Sequence, residues 1–229
     1  MPDHFILGIL IFIITYVAIV SEKLHRMVVA VFGAGLMIIF HVLSQAEALD
    51  HIDFNTLGLL VGMMIIVNVI KQTGLFQYLA IKSAKMAKGD PVKILIYFGV
   101  LTALASAFLD NVTTILLVVP VTLVISDTLK INPIPYVIGE VMSSNIGGAA
   151  TLIGDPPNIM IGGATGLSFL DFITHLFPLM IIIFIVTMVI LRFIFRKSLK
   201  VDDKYKQEIL SFDEKKAITD KKLLIKSLV

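Results

Sequence analysis

The sequence predicts an all-α polytopic membrane protein, and three observations predict it. Of 229 residues, 57% are hydrophobic and only 16% charged, with a mean hydropathy of +0.95, a balance too apolar for a soluble domain. Apolar residues fall into several runs of membrane length. One of these, 136–162, is interrupted by Gly147-Gly148 and again by Pro156-Pro157. Gly frees the backbone for positive φ, and Pro-Pro removes two N–H donors. A helix broken at bilayer depth exposes carbonyl and N–H groups that lipid cannot satisfy, so they line a cavity or bind something. Such a break points to a solute site in a membrane protein.

In chain order, Phe5 to Val20 is the first apolar run and Met27 to Leu43 the second, where Gly33 and Gly35 permit close helix packing. Asn55 to Ile70 is the third span. From Leu75 to Lys88, Leu75, Phe76, Leu79, Ala80 and Met86 recur at roughly helical spacing, with Lys82, Lys85 and Lys88 on another face. That pattern predicts an amphipathic helix lying in the membrane interface; a solvated basic loop is the plainer alternative. Val92 to Leu109 and Val112 to Ser126 form two apolar helices joined at Asp110-Asn111. Either both cross or they form a hairpin that stops midway, and both options return the chain to the side it left. The broken helix follows, then a loop from Gly162 to His175, a last span from Pro178 to Phe195, and a charged segment read as a cytosolic linker.

All 19 Lys and Arg fall within 23–26, 71–93, 130 and 192–226, whereas 44–54 and 162–175 contain none. The positive-inside rule places the basic segments in the cytoplasm and the N-terminus outside, in a multi-pass protein of the plasma membrane. The sides alternate correctly only if 75–88 does not cross. No cleavable signal is expected, since a basic n-region and a small-residue cleavage site are absent. Without cysteine there is no disulfide framework or thiolate metal site. The residues contain no second copy of the broken-helix pattern, so the chain is expected to be one repeat plus a linker. A second repeat would complete it, in a longer protein or a partner half.

Three acids lie in or beside apolar segments: Asp110, Glu140 and Asp155. An ionisable group at membrane depth costs about 2.5–3.5 kcal/mol, which implies a partner, a watery cavity or an ion. Asp110 and Asp155 each stand at a backbone break beside Asn or Pro, where carboxylate, amide, hydroxyl and freed carbonyl oxygens suit a small cation such as sodium. Both also fit helix caps, Asp110 for a helix starting near Val112 and Asp155 for one starting at Pro156. Glu140 is a proton-carrier candidate, or else an interfacial residue solvated by headgroups. Asn111, Thr113, Thr114, Ser143, Ser144, Asn145, Thr151 and Asn158 supply hydroxyls and amides around the two breaks. Singly, such residues pack helices more often than they bind ligands; their clustering makes them candidates. The five His are scattered without metal spacing, and no nucleic-acid partner is expected.

The stretch Phe108-Leu109-Asp110-Asn111-Val112-Thr113-Thr114-Ile115-Leu116-Leu117-Val118-Val119-Pro120, then Gly139-Glu140, then Ser144-Asn145-Ile146-Gly147-Gly148-Ala149-Ala150-Thr151-Leu152-Ile153-Gly154-Asp155-Pro156-Pro157-Asn158, resembles the ion-transporter superfamily. The branch it is most similar to contains sodium/proton antiporters of the NhaD type, arsenite-pump permeases and the pink-eyed-dilution (P) protein. The resemblance covers the chain as the N-terminal half of a member. It implies one inverted-repeat half: scaffold-type transmembrane helices (1–74), an interfacial helix (75–90), a transport-type region (91–166), a final transmembrane helix (167–197) and a linker (198–229) towards a second repeat. Within the transport region it implies a re-entrant helical hairpin (92–126) with its tip at Asp110-Asn111-Val112-Thr113, facing a broken helix (134–162).

By the same resemblance, the cation and substrate site comprises Asp110, Asn111, Thr113, Thr114, Ser144, Asn145, Gly147, Gly148, Thr151, Asp155 and Asn158. Asp110, Asn111, Gly147 and Asp155 form a possible sodium site. The expected function is secondary transport of an inorganic ion or small anion, as sodium/proton exchange or arsenite-type efflux. It would be coupled to sodium or protons, need no other cofactor, move like an elevator, and be homodimeric at full length in the lipid bilayer. The related divalent-anion symporters carry Ser-Asn-Thr at both tips and Thr where this chain has Asp155. Two extra carboxylates disfavour a di- or tricarboxylate substrate, which stays an alternative. A distant alternative, an intramembrane aspartyl protease, has Gly-x-Gly-Asp, whereas Leu152 stands at the first Gly position here. A passive channel would not need the broken helix.

Overall fold

The computed structural model describes residues 2–199 and 201–228. It is all helical, with no strand among the described residues, and its chain divides into two compact units, residues 1–54 and 55–229.

The first unit pairs α1 (Pro2–Val20) with α2 (Arg26–Ile39), followed by the short α3 (Gln45–Asp50). A methyl on Gly33 would collide with the Thr15 side chain, so this glycine sets how closely α1 and α2 approach. The apolar run continues to Leu43, yet the helix ends at Ile39: His41 takes φ 53° and turns the chain. Ser44 and Glu47 then cap α3 reciprocally.

The second unit opens with α4 (Phe54–Gln72) and α5 (Leu75–Met86), which meet at a 60° bend. Gly74 supplies φ 77° there, and the Thr73 hydroxyl accepts from Leu75 N–H. Phe76, Ala80 and Ala84 form the buried face of α5, packed against α6 (Pro91–Ser106) and α7 (Asn111–Leu129). By length and composition, α7 and α10 (Phe169–Ile194) can each cross a membrane, and the bent α4–α5 pair fits either one broken span or a re-entrant loop. α10 begins earlier than its apolar run, because Ser168 and Asp171 build a capping box ahead of it. With α9 (Pro156–Thr165) ending at Gly166 in the left-handed region, the expected loop from Gly162 to His175 shrinks to a short turn.

The core of this unit is α6 against α8 (Ile134–Ala149). Leu95 meets Gly139, Gly99 meets Ser143, Ala103 meets Gly147, and the Thr151 hydroxyl bonds the Ala107 carbonyl. Each pair is separated by 44 residues, so the helices run parallel, in register. Small residues line the seam, as expected where apolar surroundings leave van der Waals packing to hold helices together. After α10 the chain folds back. In α11 (Asp203–Leu210), Ile209 is fully buried. Lys85 on α5 then bonds Glu214 at 2.6 Å and the Phe212 carbonyl at 3.0 Å. Thr219 ties back to the carbonyls of Thr73 and Gln72. A final helix, α12, spans Lys221–Leu228.

Candidate functional site

The turn between α6 and α7 meets the interruption between α8 and α9. Gly147-Gly148, expected to interrupt the helix, stays helical: α8 runs through the pair to Ala149, the chain runs without helix through 150–155, and α9 starts at Pro156. Backbones approach closely here. A methyl on Gly154 would stand 2.6 Å from the Gly148 carbonyl oxygen and 2.7 Å from that of Ser106. A methyl on Gly148 would strike the Asn111 side chain. Only glycine allows the hairpin turn and the broken helix this near each other.

Asn111 is the hub. Its Oδ1 accepts from the Ser106 hydroxyl at 2.6 Å, and its Nδ2 donates to Asp155 Oδ1 at 3.0 Å and Asn145 Oδ1 at 3.2 Å. Its backbone carbonyl accepts from the Ser144 hydroxyl at 3.2 Å, and the Ser106 and Ser144 hydroxyls lie 3.0 Å apart. Two oxygens, one from a carboxylate and one from an amide, thus converge on the partly positive Nδ2. The loop is pinned beside them: Thr151 Oγ1 donates to the Ala107 carbonyl at 2.5 Å and accepts from Gly154 N–H at 3.1 Å. Asn158 Nδ2 donates to the Thr151 carbonyl at 2.8 Å.

Asp155 precedes α9 but does not cap it with its side chain. Pro156 and Pro157 offer no N–H, and Asn158 N–H goes to the Asp155 backbone carbonyl at 3.0 Å. Its carboxylate is therefore left for Asn111. Asp110 does the opposite. Its carboxylate accepts from Thr113 N–H at 2.9 Å, capping α7, and it borders a small cavity of about 40 Å³ with Leu60, Met63, Met64, Val67, Phe108, Ile153 and Pro156. Among the described residues, no hydrogen bond joins it to the Asn111 cluster. Thr113 contributes its backbone N–H to that cap, and the Thr114 hydroxyl is buried without a partner.

The structure thus brings together Asn111, Ser144, Asn145, Gly148 and Asp155, with Thr151 and Asn158 holding the loop. Gly147 serves the α6 seam. Ser106 belongs to the cluster and was missed; a lone Ser one turn beyond Thr102, inside an otherwise apolar run, is the signal that could have found it. Glu140 lies inside the α7–α8 contact at 1% exposure, bonded to Thr122. Among the described residues, no three His, Asp or Glu side chains converge as a metal site.

Fold and site define a helical membrane protein whose polar centre is built where a helix hairpin meets an interrupted helix. A family model described as citrate transporter matches residues 16–229. The chain is 44% identical over 225 residues to a 46 kDa membrane protein of Mycobacterium leprae, covering 96% of this chain and 52% of that one. An uncharacterised transporter of Mycobacterium tuberculosis matches at the same identity and coverage. The human P protein is 39% identical over 190 residues, covering 79% of this chain and 23% of its own. The chain belongs to the citrate transporter family, and it spans about half the length of its mycobacterial relatives.

Proposed function

We propose that this chain is one half of a secondary active transporter for an inorganic ion or small anion, coupled to sodium or protons. The observation that carries the reading is the convergence of Asp155 Oδ1 and Asn145 Oδ1 on Asn111 Nδ2. A swing of the Asn111 amide would leave those oxygens facing a position suited to a small cation. Hard oxygen donors of this kind suit sodium rather than a soft transition metal. A second repeat supplies the rest of the site, and the whole moves like an elevator as a homodimer in the plasma membrane, with its N-terminus outside and its tail cytoplasmic. Sodium/proton exchange and arsenite-type efflux fit a site carrying a net negative group.

A citrate-type anion symporter is the second reading. Two observations favour it: the family's description, and the placement of Asp110, whose carboxylate caps α7 instead of joining the cluster. With a single carboxylate there, a bound cation neutralises the site and an anion can approach. The test is reconstitution of the complete protein in liposomes, with currents recorded under sodium, proton, arsenite and citrate gradients. Uphill movement of one solute driven by a sodium or proton gradient is the expected result. Purely downhill flux, indifferent to both ions, would refute the proposal.

A further inference from the structure

The α7–α8 contact holds a second polar centre, three helical turns along α7 from Asn111. Thr122 Oγ1 contacts Oε1 of Glu140 and also lies 3.3 Å from the Val118 carbonyl oxygen, while Glu140 Oε2 has no hydrogen-bond partner among the described residues. A hydroxyl carries one proton and a carbonyl none. With Glu140 ionised, the single Thr122 proton must serve both oxygens; with Glu140 protonated, each contact has a proton of its own, Glu140 donating O–H to Thr122 while Thr122 donates to Val118. An ionised Glu140 would instead be a buried charge with one donor and no counter-ion, which is costly.

Among the described residues, no cation pairs with Glu140. The titratable and charged groups on the elements packed against α8 are Asp90, Lys93 and Tyr97 at α6, Asp110, Asp127 and Lys130 at α7, and Asp171, His175 and Arg192 on α10. Tyr136 is on α8 itself. Among the described residues, none of these bonds Glu140: Asp127 pairs with Lys130, Asp110 caps α7, and the Asp90 carboxylate caps Lys93 N–H. The hydroxyls of Thr102, Thr114 and Ser143, one on each of α6, α7 and α8, are likewise buried without partners. These are polar atoms that water entering between the three helices would satisfy.

We propose that Glu140 is a proton-binding site, neutral while α7 and α8 are packed. When the helices part, its O–H bond breaks in favour of entering water, leaving carboxylate and hydronium; repacking returns the proton. As the coupling step of transport this rests on the function proposed above, but the protonation itself does not.

Infrared difference spectra of the complete protein, wild type against E140Q, read the protonation directly. A protonated-carboxyl C=O band absent from E140Q, and reversibly lost as the pH rises from about 5 to about 9, is the expected result. No such band, or one that never titrates, would overturn the proposal. If E140Q does not fold, T122V serves instead: removing the hydroxyl must shift the C=O band, and an unshifted band would overturn the assignment. In liposomes, pH-gradient-driven transport should fall at least tenfold in E140Q; full proton coupling in that variant would also overturn it. A wild-type protein that transports nothing would refute the transporter reading alone, and the infrared result would still decide this one.

Discussion

Replacing Gly147 by Ala probes the seam that positions the site. An added methyl would fall 2.6 Å from the carbonyl carbon of Ala103 and 2.7 Å from its Cα. Carbon atoms in contact sit about 3.5–4.0 Å apart, so α8 must retreat from α6 by roughly 1 Å. The struck atoms are backbone in the middle of a helix and cannot rotate away. Overpacking of this kind costs about 1–3 kcal/mol. One turn on, the Thr151–Ala107 bond of 2.5 Å would be stretched towards breaking, adding about 1 kcal/mol. G147A should therefore destabilise the protein by about 2–4 kcal/mol, read by thermal or denaturant melting in detergent. The control is Gly62→Ala on α4, where nothing lies within 4 Å and the change should stabilise by about 0.5–1 kcal/mol. If G147A and G62A melted alike, the close approach of α6 and α8, and the site geometry resting on it, would be wrong.

Three further outcomes are expected. Asp110→Ala removes the α7 cap, costing about 1 kcal/mol in melting experiments, and should leave sodium dependence of transport unchanged. Thr151→Val deletes the bonds to Ala107 and Gly154, so amides of 150–155 should exchange with deuterium at least tenfold faster, for a loss of about 1–3 kcal/mol. The Lys85 hydrogen bond holds the Glu214 carboxyl below the ordinary glutamate value of 4.5. A native value below the unfolded one means the bond contributes fully above that ordinary value and is lost as pH falls through the lower native value. Acidification should therefore release the segment 201–219 from α5, seen as new protease cleavage there, and K85A should release it at neutral pH.

Much of the architecture could be read from composition and punctuation. Hydropathy alone gives an all-helical membrane protein, and Pro156-Pro157 marks where helix resumes after the break, whereas Gly147-Gly148, expected to break the helix, stays within α8. The roles of Asp110 and its neighbour Asn111 were harder to read. Asp110 and Asn111 are neighbours in sequence, yet the first turn of α7 sends the carboxylate to its own backbone and the amide to Asp155. That split depends on helix phase, which starts at a residue no pattern specifies to better than a position or two. Asp155 fits a cap for α9 on sequence, yet the two prolines remove the first N–H groups and the next, at Asn158, goes to the Asp155 backbone carbonyl. Ser106 went unseen because hydropathy treats one hydroxyl in an apolar run as neutral. The docking of 201–219 rests on partners such as Lys85 and Glu214, 129 residues apart. Local charge density there looks like a solvated linker, and only tertiary contact shows otherwise.

Sodium binding at the junction of hairpin turn and broken helix is the central claim. Its most direct test is hydrogen–deuterium exchange across 143–158 in the complete protein, with sodium or with an equal concentration of choline. Sodium should slow exchange in this segment for the wild type and have no effect in D155N. Equal exchange in the two salts, or sodium protection that survives in D155N, would contradict a cation held by Asn111, Asn145 and Asp155.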